Sequence, residues 1–455
     1  MADAQAVTAE HAEVLSPRKT VFNLAAPALV EMFLVSAVGM ADMMMVGRIG
    51  PAAIASVGLT NQPMMFFQAV YMSLNVGTTA LVARLVGARD MGRASAAVKQ
   101  TLAMALLIGV VISVLSVTFA EPLLHFMGAE PDVIDQGVPY FKVVGAGLIF
   151  QAMAMNMTAS LRGAGDTRSP MTINIISNIC NLIGNYVLIN GVIGFPKWGV
   201  FGAGLSTTLS RIIAFVLFYR LLASGTRRIK PAFFEKYSLD WPLLQRAIRV
   251  GIPAAIEQLI LRAGQVTFAL VVSSLGTVTY AAHQVGLNVL SMAFMPGHAF
   301  AVAATTLVGQ GLGADRPDEA ERYAQEARKL GMIVGCGMAV LFFSLGRQIA
   351  WLYTDDKAII EMAAMVLRFY AFVQPAQTTQ FVFAGALRGA GDTRWTLYSS
   401  AIGIWVGRVV MSNILVGIFH LGIMGAWMAM AVDQVGRSVI TSMRFRTGRW
   451  KTHKV

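Results

Sequence analysis

Apolar runs of about twenty residues recur along the whole chain, the length an α-helix needs to cross a hydrocarbon core. Val21–Met45, Thr101–Ala120, Val143–Leu161 and Thr396–Phe419 are clear cases, and Met332–Leu345 becomes one with its flanks. Short polar or glycine-bearing connections separate them. The pattern predicts an all-α polytopic membrane protein with twelve transmembrane helices. Composition agrees: 56% of residues are hydrophobic and 13% charged, about half the charged share of a soluble domain.

The octapeptide LRGAGDTR occurs twice, at Leu161–Arg168 and again at Leu387–Arg394. Shifting the sequence by that same distance places Ala26–Leu34 on Ile252–Ile260, with Pro27 on Pro253 and Glu31 on Glu257. It also places Thr79–Ala88 on Thr305–Ala314 and Gln151 on Gln377. Past the octapeptide the register slips, and Gly202-Ala203 then meets Gly425-Ala426. The chain therefore divides into a leader over 1–18, an N-lobe over 19–225, a linker over 226–249, a C-lobe over 250–445 and a basic tail over 446–455. Each lobe holds about six crossings, so the two enter from the same side and their pseudo-twofold runs along the membrane normal. Two six-helix bundles flanking a V-shaped cleft are expected. Within the octapeptide, the glycines suit a tight reversal, Asp166 and Asp392 suit capping of the next helix, and Arg162 and Arg388 add cytoplasmic positive charge.

Charge sets the orientation. Net charge is +12, but the basic residues collect in alternate connections: Arg84 to Lys99, the octapeptides, the linker and the tail. That is positive-inside bias rather than a nucleic-acid surface, and it puts both termini in the cytoplasm of a multi-pass cell (inner) membrane protein. The polar start, MADAQAVTAEHAEVLSPRKT, lacks the features of a cleaved signal and reads as a flexible leader. Cys180 and Cys336 lie in apolar runs, which argues against a disulfide framework, and the six histidines show no metal-ligand spacing. No cofactor, no nucleic acid and a monomer among membrane lipids are expected. The segment Gly313–Lys329 is charged and amphipathic, as a cytoplasmic surface helix would be.

ADMMMVGRIG in the first crossing, LVARLVGA and LVGQGLGA after the second and eighth, and the paired octapeptides together resemble the multidrug and toxic compound extrusion (MATE) family of secondary transporters. The likeness spans about Lys19 to Arg446. It implies an antiporter that admits H⁺ or Na⁺ and exports organic cations or drugs, with two lobes alternating their opening. By the family pattern Asp42 is the N-lobe coupling acid, and Glu257 matches an acid that follows the proline of the seventh crossing. Some relatives carry an aspartate where this chain has Asn185, and others an acid where it has Gln377. Those departures leave H⁺ and Na⁺ both open as the coupling ion, with no metal site expected beyond one for Na⁺.

An ionisable side chain inside the membrane costs about 2.5–3.5 kcal/mol on insertion scales and needs a partner or a purpose. The N-lobe offers Glu31 and Asp42, three turns apart on one helix and with no basic residue expected at their depth. A carboxylate desolvated without a cation favours its protonated form. Asn178, Asn181, Asn185 and Tyr186 could turn oxygens or hydroxyls toward them, and a carboxylate with amide oxygens also suits a small hard cation. The C-lobe offers Glu257, Arg262, Arg408 and Asp433, which read either as a neutral structural network or as an acid tuned by arginine. Gln151, Gln377, Tyr71, Phe67, Gln284 and His283 are candidate cleft residues. A flippase for a lipid-linked head group is the rival transport reading, and it calls for several basic residues in the cleft. An integral-membrane enzyme would need a nucleophile–base or metal constellation, and none is evident.

Overall fold

A computed structural model describes residues 16–192, 194–225, 228–231 and 238–453. The leader through residue 15, the remaining linker residues and the last two tail residues lie outside the described residues. Nine described helices are each long and apolar enough to cross a membrane alone. They are α1 (Pro17–Gly47), α2 (Pro51–Gly87), α3 (Met91–Thr118), α7 (Arg168–Asn190), α8 (Gly199–Ala223), α9 (Trp241–Ser273), α10 (Thr277–Gly313), α11 (Pro317–Trp351) and α14, whose span runs Thr393–Ile418. Between α3 and α7 lie the short α4 (Ala120–Phe126), then α5 (Pro131–Ala146) and α6 (Leu148–Gly163), which make one crossing bent by 42°. Their C-lobe counterparts α12 (Lys357–Ala371) and α13 (Gln374–Gly389) make another, bent by 58°. The final helix α15 (Gly422–Arg446) is long enough to span but carries Asp433 and Arg437, and it completes twelve crossings.

Three boundaries differ from the sequence expectation. Helix α9 starts at Trp241, inside the stretch read as linker, because Asp240 caps it with a bond to the Leu243 N–H (3.0 Å). Gly313–Lys329 is no separate surface helix, since from Pro317 onward it forms the first turns of α11. The tail is docked at its start: Trp450 is fully buried, stacks on Phe445 at 4.9 Å and donates to the Phe445 carbonyl (2.8 Å). Lys451 reaches Glu321 at 2.6 Å and Asp318 at 3.1 Å, which pushes its ammonium above the ordinary lysine value.

The apolar packing places the lobes. At the end bearing the octapeptides the core clusters cross between lobes. Val21, Leu24 and Ala25 of α1 pack with Leu307, Val308 and Ala324 of the C-lobe, and Leu81, Val82 and Leu85 of α2 pack with Leu243 and Ala247. Toward the opposite end the clusters stay within one lobe, around Phe141 and Tyr71 in the first and Trp427 and Tyr370 in the second. The molecule is thus closed at the octapeptide end.

That closure is made reciprocally by equivalent positions. Arg84 Nη1 donates to the Ala390 carbonyl (3.4 Å), and Gln310, its counterpart in the repeat, donates through Nε2 to the Gly163 carbonyl (2.9 Å). Thr306 Oγ1 donates to the Arg162 carbonyl at 2.9 Å. Gly87 and Gly313 sit where the lobes touch backbone to backbone. A Cβ on Gly87 would meet the Gln310 carbonyl oxygen, and one on Gly313 the Arg84 carbonyl oxygen. We therefore expect Gly313→Leu to pry this end open. Spin labels at Arg89 and Asp315, one per lobe in a chain with Cys180 and Cys336 replaced by Ser, should report a distance several ångströms longer in Gly313→Leu. An unchanged distance distribution would refute this.

Candidate functional site

A cavity of about 760 Å³ opens between the lobes, with Arg162 and Arg388 toward the closed end and Asp42 farther along α1. Its wall combines α1, α2, α6, α7 and α8 with α10 and α13. Of the cleft residues expected from sequence, only Gln151 lines it. Gln377 is buried at 1% exposure inside the C-lobe. Tyr71 is buried and Phe67 packs on the N-lobe core. His283 is caged by Phe268, Tyr280 and Trp427, and Gln284 donates to the Tyr280 hydroxyl (2.7 Å). Residue type made these positions cleft candidates but could not show which face of each helix turns into its own lobe.

Each lobe contains a carboxylate held by its own octapeptide arginine. Arg162 Nη2 donates to both Glu31 oxygens (2.8 and 2.9 Å), and Asn174 Nδ2 donates to Glu31 Oε1 (2.7 Å). In the C-lobe Arg388 Nη2 donates to Glu257 Oε1 (2.7 Å), joined by Ser400 Oγ (2.9 Å) and by Thr396 Oγ1 on Oε2 (3.0 Å). Glutamate and arginine are 131 residues apart in both, and Asn174 and Ser400 each follow their glutamate by 143. These are repeat-equivalent sites. The finding corrects two expectations: Glu31 does have a basic partner at its depth, and Glu257 pairs with Arg388 rather than with Arg262 or Arg408. The octapeptide arginines are ion-pair partners, not merely surface charge. Gly165 (φ +86°) and Gly391 (φ +85°) make the reversal that follows each. Asp166 caps the next helix through the Ser169 N–H (2.9 Å), whereas Asp392 instead takes Arg444 (2.7 Å).

The remaining C-lobe charges form a second buried cluster. Asp433, fully buried, lies 2.6 Å from Arg408 and 2.7 Å from Arg437. Arg437 went unnoticed in the sequence, though its place one turn after Asp433 was a signal. Arg262 is outside the network: it is exposed and bonds only Gln265 (3.4 Å) among the described residues.

Asp42 differs from all of these. It is half-buried, lines the cavity and has no ion-pair partner among the described residues. It does not cap its helix. Asn185 Nδ2 donates to Asp42 Oδ1 at 2.6 Å. With its amide oriented to satisfy its neighbours, Asn181 donates to both carboxylate oxygens at 3.1 and 2.9 Å and accepts from the Thr207 N–H. The repeat places Phe268 opposite Asp42, and Arg408 lies 5.6 Å over that ring. Where the N-lobe holds an unpaired acid, the C-lobe holds an aromatic face under a neutralised arginine.

Comparison with known proteins decides the family. The MatE family model matches residues 27–187 and again 253–414, two matches whose starts repeat the internal offset. The chain belongs to the MatE family. It is 30% identical over 446 residues to the probable multidrug resistance protein NorM of Thermotoga maritima, covering 97% of this chain and 95% of the relative. It is also 30% identical to the multidrug resistance protein PmpM of Pseudomonas aeruginosa, over 94% of this chain and 90% of that one. A solved outward-facing structure of a multidrug resistance MATE family transporter of the MOP superfamily superimposes with a TM-score of 0.88 at 22% identity, covering 95% and 97% of the two chains. The chain is thus a multi-pass MATE transporter and not an enzyme, with the twelve-helix fold expected.

The MATE cavity also contains an arginine the sequence reading missed, and a histidine of α10. Arg211 lines it and donates to the Val144 carbonyl (3.0 Å), and His298 lines it while stacking 4.2 Å from Phe381. A lone arginine in the apolar run after Thr207 was the available signal for the first. The ion pairs yield the prediction for this site. Glu257→Gln leaves Arg388 without its carboxylate and should cost about 3 kcal/mol, seen as a lower melting temperature in detergent. The double variant Glu257→Gln/Arg388→Gln should recover most of that loss, and a double variant no more stable than the single would contradict it.

Proposed function

We propose that this MATE protein is a cation-coupled antiporter that exports drug-like organic cations and amphipathic compounds, with H⁺ as the coupling ion. The observation that carries the reading is Asp42: a carboxylate at the cavity wall with amide donors around it and, among the described residues, no cation paired to it. Inside a membrane such a charge must be matched by a proton, a metal ion or a cationic ligand. One acid that accepts either a proton or the cationic end of a cargo gives exchange directly, since the two compete for it.

The amide groups support H⁺ over Na⁺. Both asparagines present N–H groups to the carboxylate, and a sodium ion would need oxygens there instead. Sodium is the second reading, because Asn185 Oδ1 is buried without a hydrogen-bond partner among the described residues and would be free to turn. Neutralised Glu31 and Glu257 are assigned to holding the lobes' geometry rather than to carrying the ion.

Basic residues at the octapeptide end support a cytoplasmic location for that end and for both termini, in the inner membrane. The cavity then opens outward, the releasing state. Alternating access follows if the reciprocal contacts of Arg84, Gln310 and the facing glycines break while the opposite end closes, a rocker switch about the cavity. Lipid-linked cargo remains the rival, favoured by Arg162, Arg211 and Arg388 in the wall. Two of those three are neutralised by glutamate, and the third, Arg211, is bonded to the Val144 carbonyl.

Proteoliposomes loaded with a fluorescent organic cation test the reading. An imposed proton gradient should drive its uphill movement in the wild type, and Asp42→Asn should lower that rate by at least about tenfold while the protein stays monodisperse. Driving by a sodium gradient alone would select Na⁺. Uphill transport by Asp42→Asn at the wild-type rate would remove Asp42 from coupling. Scrambling of a labelled anionic lipid without cation movement would favour the flippase.

A further inference from the structure

A second cavity, of about 340 Å³, lies at the octapeptide end against the C-lobe. Arg246 and Arg249, from the first turns of α9, and Arg394, closing the octapeptide, line it together with His453 of the tail. All three arginines are exposed. The one carboxylate in the wall, Asp392, is already taken: Arg444 Nε binds it at 2.7 Å, with His453 at 3.6 Å on its other oxygen. Three arginines therefore line one pocket with no acid of their own among the described residues. Such a cluster repels itself and presents planar N–H donors matched to phosphate oxygens.

Two further observations say what covers it. The first is position. Trp241 begins α9 beside the pocket, and Trp395 and Tyr398 follow Arg394, all three side chains being exposed. Trp and Tyr collect where the hydrocarbon meets the head groups, which argues that the pocket lies at head-group depth. The second is asymmetry. The repeat sets Thr20 and Asn23 of the N-lobe opposite Arg246 and Arg249, while Arg168 matches Arg394. The duplicated fold does not require the α9 arginines, which belong to this lobe alone.

We propose that this pocket binds the phosphodiester head group of an anionic phospholipid from the leaflet at the octapeptide end. Arg394 supplies one side of the clamp and Arg246 with Arg249 the other, so the lipid ties the start of α9 to the C-lobe octapeptide. That junction matters for the lobes: between Arg246 and Arg249 runs the backbone against which Gly77 of the N-lobe packs, at the Ala247 carbonyl. A head group there stabilises the closed octapeptide end.

Full-length protein in mild detergent, titrated with phosphatidylglycerol or with phosphatidylcholine and read by native mass spectrometry, tests the site. One phosphatidylglycerol should be retained at concentrations where phosphatidylcholine is not. Arg246→Gln/Arg249→Gln/Arg394→Gln should raise the amount needed for half occupancy by at least about tenfold. Arg246→Gln alone, at an exposed position that leaves folding intact, should move it in the same direction. The control Arg316→Gln/Arg322→Gln, on α11, should leave occupancy as in the wild type. Equal retention by the triple variant, or equal loss in the control, would overturn the assignment. So would displacement of the lipid by millimolar inorganic phosphate, because a free anion would then be the ligand.

Discussion

The structure depends on one repeated interaction, the buried ion pair between the glutamate that follows the proline of α1 or α9 and the arginine of its lobe's octapeptide. A charge in hydrocarbon is tolerated only when matched, and each of these is matched by a guanidinium and by polar donors from the next helix. The pair fixes the first helix of each lobe against the octapeptide. The octapeptide's carbonyls in turn accept the bonds that close the lobes together. Pairing, reversal and closure are thus carried by the same eight residues, a physical reason for both copies to have kept them letter for letter.

Among the described residues the pairs also leave Asp42 as the cavity acid available for the proposed exchange. Glu31, Glu257 and Asp433 each face arginine, so proton or cation exchange on them must first break a bond. Among the described residues Asp42 is hydrogen-bonded by amides and by no arginine. The asymmetry between the lobes is chemical rather than architectural: the same scaffold holds Asp42 in one half and Phe268, with Arg408 over its ring, in the other. Two lobes with equal frames and unequal contents can bind the ion in one half and hold the geometry in both.

Much of the fold was legible because it is written in local signals. Twenty-residue apolar runs and the exact octapeptide duplication fix helix number, parallel repeats and a cleft between bundles. The family pattern drew attention to Asp42 and Asn185, the pair on which the proposed coupling rests. The glutamate–arginine pairs escaped because their partners stand 131 residues apart, and nothing local says which surface of the octapeptide turn faces inward. Depth estimates along single helices suggested Arg262 and Arg408 for Glu257, but packing sends the first outward and the second to Asp433. Gln377, His283 and Tyr71 show the same limit, since a polar residue on a membrane helix can face a cleft or pack inside its own lobe.

The central claim is that the exchangeable proton resides on Asp42, while Glu31 and Glu257 are taken up by the ion pairs with their octapeptide arginines. Infrared difference spectra of the reconstituted protein between acidic and alkaline pH read this directly, through the stretching band of a protonated carboxyl group. The account predicts a band that disappears in Asp42→Asn and persists in Glu31→Gln and Glu257→Gln. A band that survives Asp42→Asn and vanishes with either glutamate would contradict it.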